Sequence, residues 1–197
     1  RPLSATWTVT GNGAFVLSQA AADEGKQTES GTDNPKKARA KISGLTIGKI
    51  VDYGIKDSMN MGACMAPAAA STIERHLQDF QTKPQDYDRI ITGDLGKVGQ
   101  KVLIDLLRDR GIDISANHMD CGIEIFDAEN QDTHAGGSGC GCSAVTLSAY
   151  ILKQIEEGKW KKVLFAPTGA LLSKTSFNEG KSVPGICHAL VIENNNF

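Results

Sequence analysis

The chain has 197 residues, of which 40% are hydrophobic and 22% charged, enough apolar content to bury a core of its own. A formal net charge of −2 argues against nucleic acid as the main partner, and no apolar run approaches the roughly 18 residues that a membrane-spanning helix needs. Five cysteines at irregular spacing (Cys64, Cys121, Cys140, Cys142 and Cys187) speak against a disulfide framework and for reducing surroundings. The chain opens Arg1-Pro2-Leu3-Ser4, without Met or the apolar stretch of a signal peptide, and reads as a piece of a longer protein.

In chain order, residues 5–10 and 13–18 read as two strands joined at Gly11-Asn12, a hairpin signal. Residues 20–41 are polar, with Gly, Ser, Asn and Pro scattered through them, and read as a flexible loop. Residues 42–53 suggest a strand. Residues 67–80 suggest a helix with Pro67 in its first turn and Ala70, Ile73, Leu77 and Phe80 on one face. Residues 88–92 form a short buried strand. Residues 98–110 form an amphipathic helix with an apolar stripe of Val98, Val102, Leu103, Leu106 and Leu107, and Gly111 stands just past its end. Residues 112–133 carry little periodicity. From Ala144 to Leu152 every residue is apolar or small, so a helix over 143–157 belongs inside the protein. Residues 162–166 and 186–192 complete the strands and are expected side by side, with a loop over 168–184 between them. This alternation predicts an α/β layered fold: a mixed sheet of seven or so strands with a buried helix against it.

The stretch feeding the buried helix, His134-Ala-Gly-Gly-Ser-Gly-Cys-Gly-Cys-Ser143, is the most telling. Its glycines leave backbone N–H groups uncovered, and the first turn of a helix has N–H groups without helical partners, so an anion or a developing negative charge is favoured there. Thr92-Gly93-Asp94 ends a strand, and ligands of layered α/β sheets collect at the carboxyl ends of strands. The candidate ligand-binding residues are therefore Thr92, Gly93, Asp94, His134, Ala135, Gly136, Gly137, Ser138, Gly139 and Cys140, the two segments meeting as one wall of a pocket. Gly137→Val is expected to obstruct a ligand there while sparing the core. Plainer readings stand beside these: His134 as a loop histidine bonded to backbone, Asp94 as a cap for the helix that follows, Cys140 and Cys142 as packing residues, His118 and Asp120 as structural. Cys140 and Cys142 with His134, or His118 with Cys121, lack the paired spacing of zinc sites, so no metal and no cofactor is expected.

Several segments taken together carry a family resemblance. Gly13-Ala-Phe-Val-Leu17, Ile91-Thr-Gly-Asp-Leu95, the Gly-rich loop before the buried helix, Val163-Leu-Phe-Ala166 and His188-Ala-Leu-Val-Ile192 resemble the C-terminal half of the thiolase-like fold. Met65-Ala-Pro-Ala-Ala-Ala70, the run from Tyr87 to Leu95, Asp120-Cys-Gly122, Ala135-Gly-Gly-Ser-Gly-Cys140 and Thr168-Gly-Ala-Leu-Leu-Ser173 are similar, more closely, to the stage V sporulation protein AD family of spore-forming bacteria. The resemblance covers nearly the whole chain except the 20–41 loop. It implies a protein of two similar halves, with residues 1–19 the terminal strands of the preceding half and 42–197 the C-terminal half-domain. It further implies binding of dipicolinic acid, free or as the calcium chelate, and a part in moving it into the developing spore. The partners so implied are the missing N-terminal half, other membrane subunits of the sporulation complex and, as one option, a second copy in a homodimer. The implied location is cytoplasmic or peripheral at the forespore inner membrane.

Condensing enzymes of the thiolase-like fold use a nucleophilic Cys in the first half, a His after a strand of the second half, and a His or Asn on the loop before the buried helix. Where the strand-end His would fall, this chain has Thr92-Gly93-Asp94, with no imidazole to act as acid or base. On the loop before the buried helix His134 lies close to the expected place, but Ala135 and Gly136 align best with it, so the expectation is a binder without catalysis. The alternatives are an acyltransferase of that fold and a purely structural docking subunit. Dipicolinate is a planar dianion. Loop N–H groups could hold one carboxylate, with Ser138, Ser143 or Thr92 hydroxyls and Lys97 nearby in sequence; Asp94 would repel the dianion unless it points away or meets calcium.

Overall fold

The computed structural model describes residues 2–19 and 38–195. The elements run β1 (Trp7–Thr8), β2 (Ala40–Thr46), α1 (Met61–Asp79), β3 (Arg89–Thr92), α2 (Gly96–Arg108), β4 (His118–Asp120), α3 (Cys121–Glu124) and β5 (Gly137–Ser138). Then come α4 (Cys142–Thr146), a π-helical segment (Leu147–Ile151) and α5 (Leu152–Glu156), which together make one unbroken helical run. β6 (Lys162–Ala166), β7 (Thr168–Ala170), α6 (Lys174–Asn178), β8 (Gly185–Cys187) and β9 (Ala189–Asn194) complete the chain.

The main sheet has five strands in the order β2-β9-β6-β3-β4. β3 is parallel to β4 and β6, while β9 is antiparallel to both β6 and β2, so the sheet is mixed. Successive residues of a strand point to opposite faces, and this alternation separates two cores. Ile90, Leu164 and Val191 pack with α1 and α2 residues such as Ile73, Leu103 and Leu107 on one face. Ile91, Val163, Phe165 and Ile192 pack with Ile151 and Ile155 of the long helical run on the other. Buried His76 links the first layer to the sheet edge. Its ring nitrogens lie 2.7 Å from the Thr46 and Tyr87 hydroxyls, and burial holds its pKa down at about 4.

The α/β class, the mixed sheet and the buried helix are those the sequence predicts, but the main sheet has five strands rather than seven or so, the other four forming two separate two-stranded pairs. β3, α2 and the pairing of β6 with β9 fall in the expected places, and Gly111 takes a left-handed φ of 77° just beyond α2. The long helix keeps Ile151 and Ile155 fully buried, while Ala144 and Leu147 are partly exposed.

Four local expectations are corrected. The hairpin over 5–10 and 13–18 does not form. Instead β1 pairs parallel with β5, because the backbone of residues 5–9 bonds to the distant Gly-rich loop: Ala135 N–H to Ala5 O (3.0 Å), Trp7 N–H to Gly136 O (2.9 Å) and Val9 N–H to Ser138 O (2.8 Å). A long-range ladder satisfies those groups in place of the local turn. α1 starts at Met61, with the Asn60 side chain accepting from Ala63 N–H, so Pro67 is interior. Six of the seven residues from Cys64 to Ala70, Pro67 apart, are buried apolar side chains, and that burial outweighs the cost of a proline. The strand expected over 42–53 ends at Thr46, leaving an isolated bridge at Val51. The 168–184 loop contains β7 and α6, and the last strand is divided into β8 and β9 at His188. Of the loop expected over 20–41, residues 20–37 lie outside the described residues, and Ala40 and Lys41 open β2.

Candidate functional site

β3 and β4 run in parallel register and end together, with Thr92 opposite Asp120. Asp120 is fully buried. Its Oδ2 accepts the Thr92 hydroxyl (2.7 Å) and the Leu95 N–H (3.0 Å), and its Oδ1 accepts the Gly96 N–H (2.9 Å) and the Gly122 N–H (3.1 Å). One carboxylate thus joins the end of β3, the start of α2 and the start of α3. Burial pushes its pKa up, and these four donors pull against that.

Thr92 has one hydroxyl proton, and it goes to Asp120. The 3.0 Å contact between Thr92 Oγ1 and His118 Nε2 must then be donated by the ring. His118 Nδ1 is left as an acceptor, and Gln100 Nε2 donates to it at 3.0 Å. A directional relay runs Gln100 to His118 to Thr92 to Asp120. Burial lowers the His118 pKa to about 4, so the ring stays neutral near pH 7 and keeps this tautomer.

Asp94, two residues beyond β3, meets the Gly-rich loop. Its Oδ2 accepts the Gly139 N–H at 2.9 Å, and its Oδ1 accepts the Thr168 hydroxyl at 3.1 Å. The Asp94 N–H points back to Thr168 Oγ1 at 3.4 Å. Among the described residues no ion pair involves Asp94. Burial lifts its pKa to about 6, with Asp120 adding to the rise and the Gly139 and Thr168 bonds opposing it. Asp94 does not cap α2. The N-cap position is Leu95, without a side-chain cap, and Asp120 serves the first N–H groups instead.

The Gly-rich loop approaches its own chain closely. Gly136 has φ 120°, and a Cβ there would sit 2.5 Å from Gly122 O. A Cβ on Gly137 would lie 2.8–2.9 Å from side-chain carbons of Ile125, Phe126 and Val9. The expectation that Gly137 clears space for a ligand is therefore replaced by packing. Ala135 is buried and its carbonyl accepts the Lys97 N–H at 2.8 Å. The Ser138 hydroxyl pairs with that of Thr6. His134 adopts φ 52°, and its Nε2 lies 3.5 Å from Asp132 Oδ1, turned toward the 128–133 loop. Cys140 is exposed, whereas Cys121 and Cys142 are buried thiols; burial pushes Cys142 to about 12. Among the described residues no three His, Cys, Asp or Glu side chains gather as a metal site would require.

The structure thus joins Thr92, Gly93, Asp94 and Gly139 in one polar corner and leaves His134 apart. Sequence reasoning missed Thr168, whose partner Asp94 is 74 positions away, and the strip from Ala5 to Val9 that lines the loop. The presence of Thr168-Gly-Ala among the family-like segments is the sequence signal that could have found that position.

A layered α/β half with a buried carboxylate corner at the parallel strand ends is the class that fold and site define. The chain belongs to the stage V sporulation protein AD family, whose profile matches residues 1–193. It is 42% identical over 193 residues to the stage V sporulation protein AD of Bacillus subtilis (strain 168), covering 98% of this chain and 52% of that protein. The chain therefore spans about half the length of the curated relative it matches. Similar solved structures include an acetyl-CoA acetyltransferase from Syntrophomonas wolfei (15% identity, 81% of this chain and 32% of that one, TM-score 0.47). Human mitochondrial 3-ketoacyl-CoA thiolase is another (17% identity, 80% and 31%, TM-score 0.41).

Proposed function

We propose that this chain is the larger part of the binding half of a non-catalytic subunit that holds dipicolinic acid, alone or with calcium, during its transfer into the developing spore. The observation that carries the reading is the strand-end corner. Where acid/base chemistry would need an imidazole, Asp94 is fixed by Gly139 N–H and the Thr168 hydroxyl. The nearby His118 is held neutral inside the relay to Asp120. A carboxylate held in this way orients the Gly-rich loop and the Thr168 hydroxyl, and no imidazole is among its hydrogen-bond partners. Membership of a sporulation family supports the same direction.

The rest of the protein and its membrane partners complete the proposal. Phe15, Val16, Leu147, Leu152 and Ile192 line an apolar groove suited to the preceding half. No helix among the described residues is long and apolar enough to cross a membrane. In this proposal the subunit sits in the cytoplasm or peripherally on the forespore inner membrane, beside membrane subunits and, as one option, as a homodimer. Titration calorimetry of the full-length protein with dipicolinate, with and without calcium, tests the reading. Saturable binding is expected. Absence of binding, or acyl-CoA condensation lost on His134→Ala, overturns it.

A further inference from the structure

We propose that Thr168 is a ligand-binding residue of this corner, and that its hydroxyl is released toward an anionic ligand when Asp94 takes up a proton. The inference rests on the reading that a carboxylate ligand binds here, and it adds a residue and a control to that reading.

The argument starts from hydrogen-bond capacity. A threonine hydroxyl donates once and accepts through two lone pairs. In the arrangement described, that single proton is committed to Asp94 Oδ1 at 3.1 Å, while Thr168 Oγ1 accepts weakly from the Asp94 N–H at 3.4 Å. Thr168 is partly exposed at the start of β7, so its remaining direction can face a ligand. With Asp94 ionised, Thr168 offers such a ligand lone pairs, and the carboxylate behind it adds repulsion. An anion is disfavoured on both counts.

Protonation of Asp94 reverses the bond. Oδ1–H then donates to Thr168 Oγ1 across the same distance, and the threonine proton is free to turn outward to an anionic oxygen. The Gly139 N–H keeps its acceptor at Oδ2 throughout. The groups acting on this corner favour a proton on Asp94. Asp120, at the end of β4, is a second buried carboxylate that already accepts four donors and is thereby the better placed of the two to stay ionised. Cys121 at the start of α3 and Cys142 at the start of α4 are buried thiols pushed toward their neutral forms, and Asp94 is among the charges acting on each. No cation forms an ion pair with Asp94 among the described residues. An anion entering this corner therefore brings its charge in most easily with one proton, taken from water and held on Asp94 Oδ1.

The experiment is dipicolinate binding to the full-length protein between about pH 6 and about pH 8, where linkage to one proton limits the change to roughly tenfold per pH unit. Wild type is expected to bind progressively more weakly as pH rises. Asp94→Asn presents an amide N–H to Thr168 and a carbonyl to Gly139, so it is expected to bind tightly with a flat pH profile. That flat profile also separates a proton on the protein from one on the ligand. Thr168→Val is expected to weaken binding by roughly tenfold or more, the scale of one charge-assisted hydrogen bond, and Thr168→Ser to restore it. Circular dichroism of each variant checks folding. Binding by wild type that is independent of pH, or Thr168→Val binding as wild type does, overturns the inference and leaves the proposed function standing. No binding at any pH overturns both.

Discussion

Asp120 and Asp94 are both buried carboxylates at the ends of parallel strands, and they differ in how many donors reach them. Asp120 accepts four hydrogen bonds from three elements, whereas Asp94 accepts two, one from a loop and one from a partly exposed hydroxyl. A buried carboxylate with all its lone pairs used is a fixed joint of the fold. One with fewer donors retains the freedom to change protonation, and so the capacity to respond to what arrives beside it.

The largest effect is expected on removing the fixed joint. Asp120→Ala leaves the Leu95, Gly96 and Gly122 N–H groups and the Thr92 hydroxyl without their acceptor in a buried place. Destabilisation of about 4 kcal/mol is expected from this number of orphaned donors. Urea unfolding of the full-length protein measures it. A loss below about 1 kcal/mol would mean that water reaches the joint and that the contrast with Asp94 is illusory.

Gly137→Val comes next. The added side chain meets Ile125, Phe126 and Val9 in a packed seam, and overpacking of this kind costs about 1–3 kcal/mol. If the variant unfolds at the wild-type denaturant midpoint yet loses dipicolinate binding, the loop faces ligand at this glycine after all, and the packing account fails.

Asp94→Asn is expected to act in the opposite direction. The folded-state pKa of Asp94 is raised from 3.8 to about 6, so the stability that its neutral form contributes is fully present below about pH 3.8 and is lost as pH rises through about 6. Above that, wild type carries the full cost of a buried charge, and the amide does not. The variant should match wild type near pH 3 and exceed it by about 3 kcal/mol at pH 7–8, each pKa unit corresponding to about 1.4 kcal/mol. Thermal midpoints measured across this range decide it. A constant difference at all pH values would show that Asp94 does not titrate between the two states.

The same contrast explains what was legible in the sequence. β3, α2 and the long buried helix could be read because their signals are local: an apolar run, a stripe of period 3.6, and an absence of charge from Ala144 to Leu152. The Thr92–Asp94 segment and the Gly-rich loop could be paired because both sit at predicted strand or helix ends. What could not be read depends on partners far along the chain. Residues 5–9 look like half of a hairpin, yet their backbone bonds lie about 130 positions away with residues 135–138. Gly137 looks like a ligand clearance, and only the packed positions of Val9, Ile125 and Phe126 reveal its purpose. Asp94 looks like a helix cap from its place before α2, while Asp120, 26 positions later, takes that part. Thr168 stands out only as part of a family-like segment, and its partner Asp94 lies 74 positions away, beyond the reach of any local pattern.

The smallest effect is expected at the far end of the relay, and it sharpens the account of the fixed joint. Gln100 is partly buried and donates to His118 Nδ1, which sets the proton on Nε2 and lets the ring donate to Thr92. Gln100→Met keeps a similar volume and removes the donor. The ring then has two ways to place its proton, and the Nδ1 tautomer would turn Nε2 into an acceptor facing a Thr92 oxygen whose proton already belongs to Asp120. About 1 kcal/mol is expected from the lost hydrogen bond, with the Asp120 contacts largely kept. Nitrogen chemical shifts of the His118 ring, recorded near pH 7 in wild type and variant, report the tautomer directly. Wild type should give a protonated Nε2 and an unprotonated Nδ1, and the variant a mixture. An Nδ1-protonated ring in wild type would reverse the relay, so that the Thr92 hydroxyl would have to serve both Asp120 and His118 with one proton, and the assignment of Asp120 as the saturated carboxylate would fall with it.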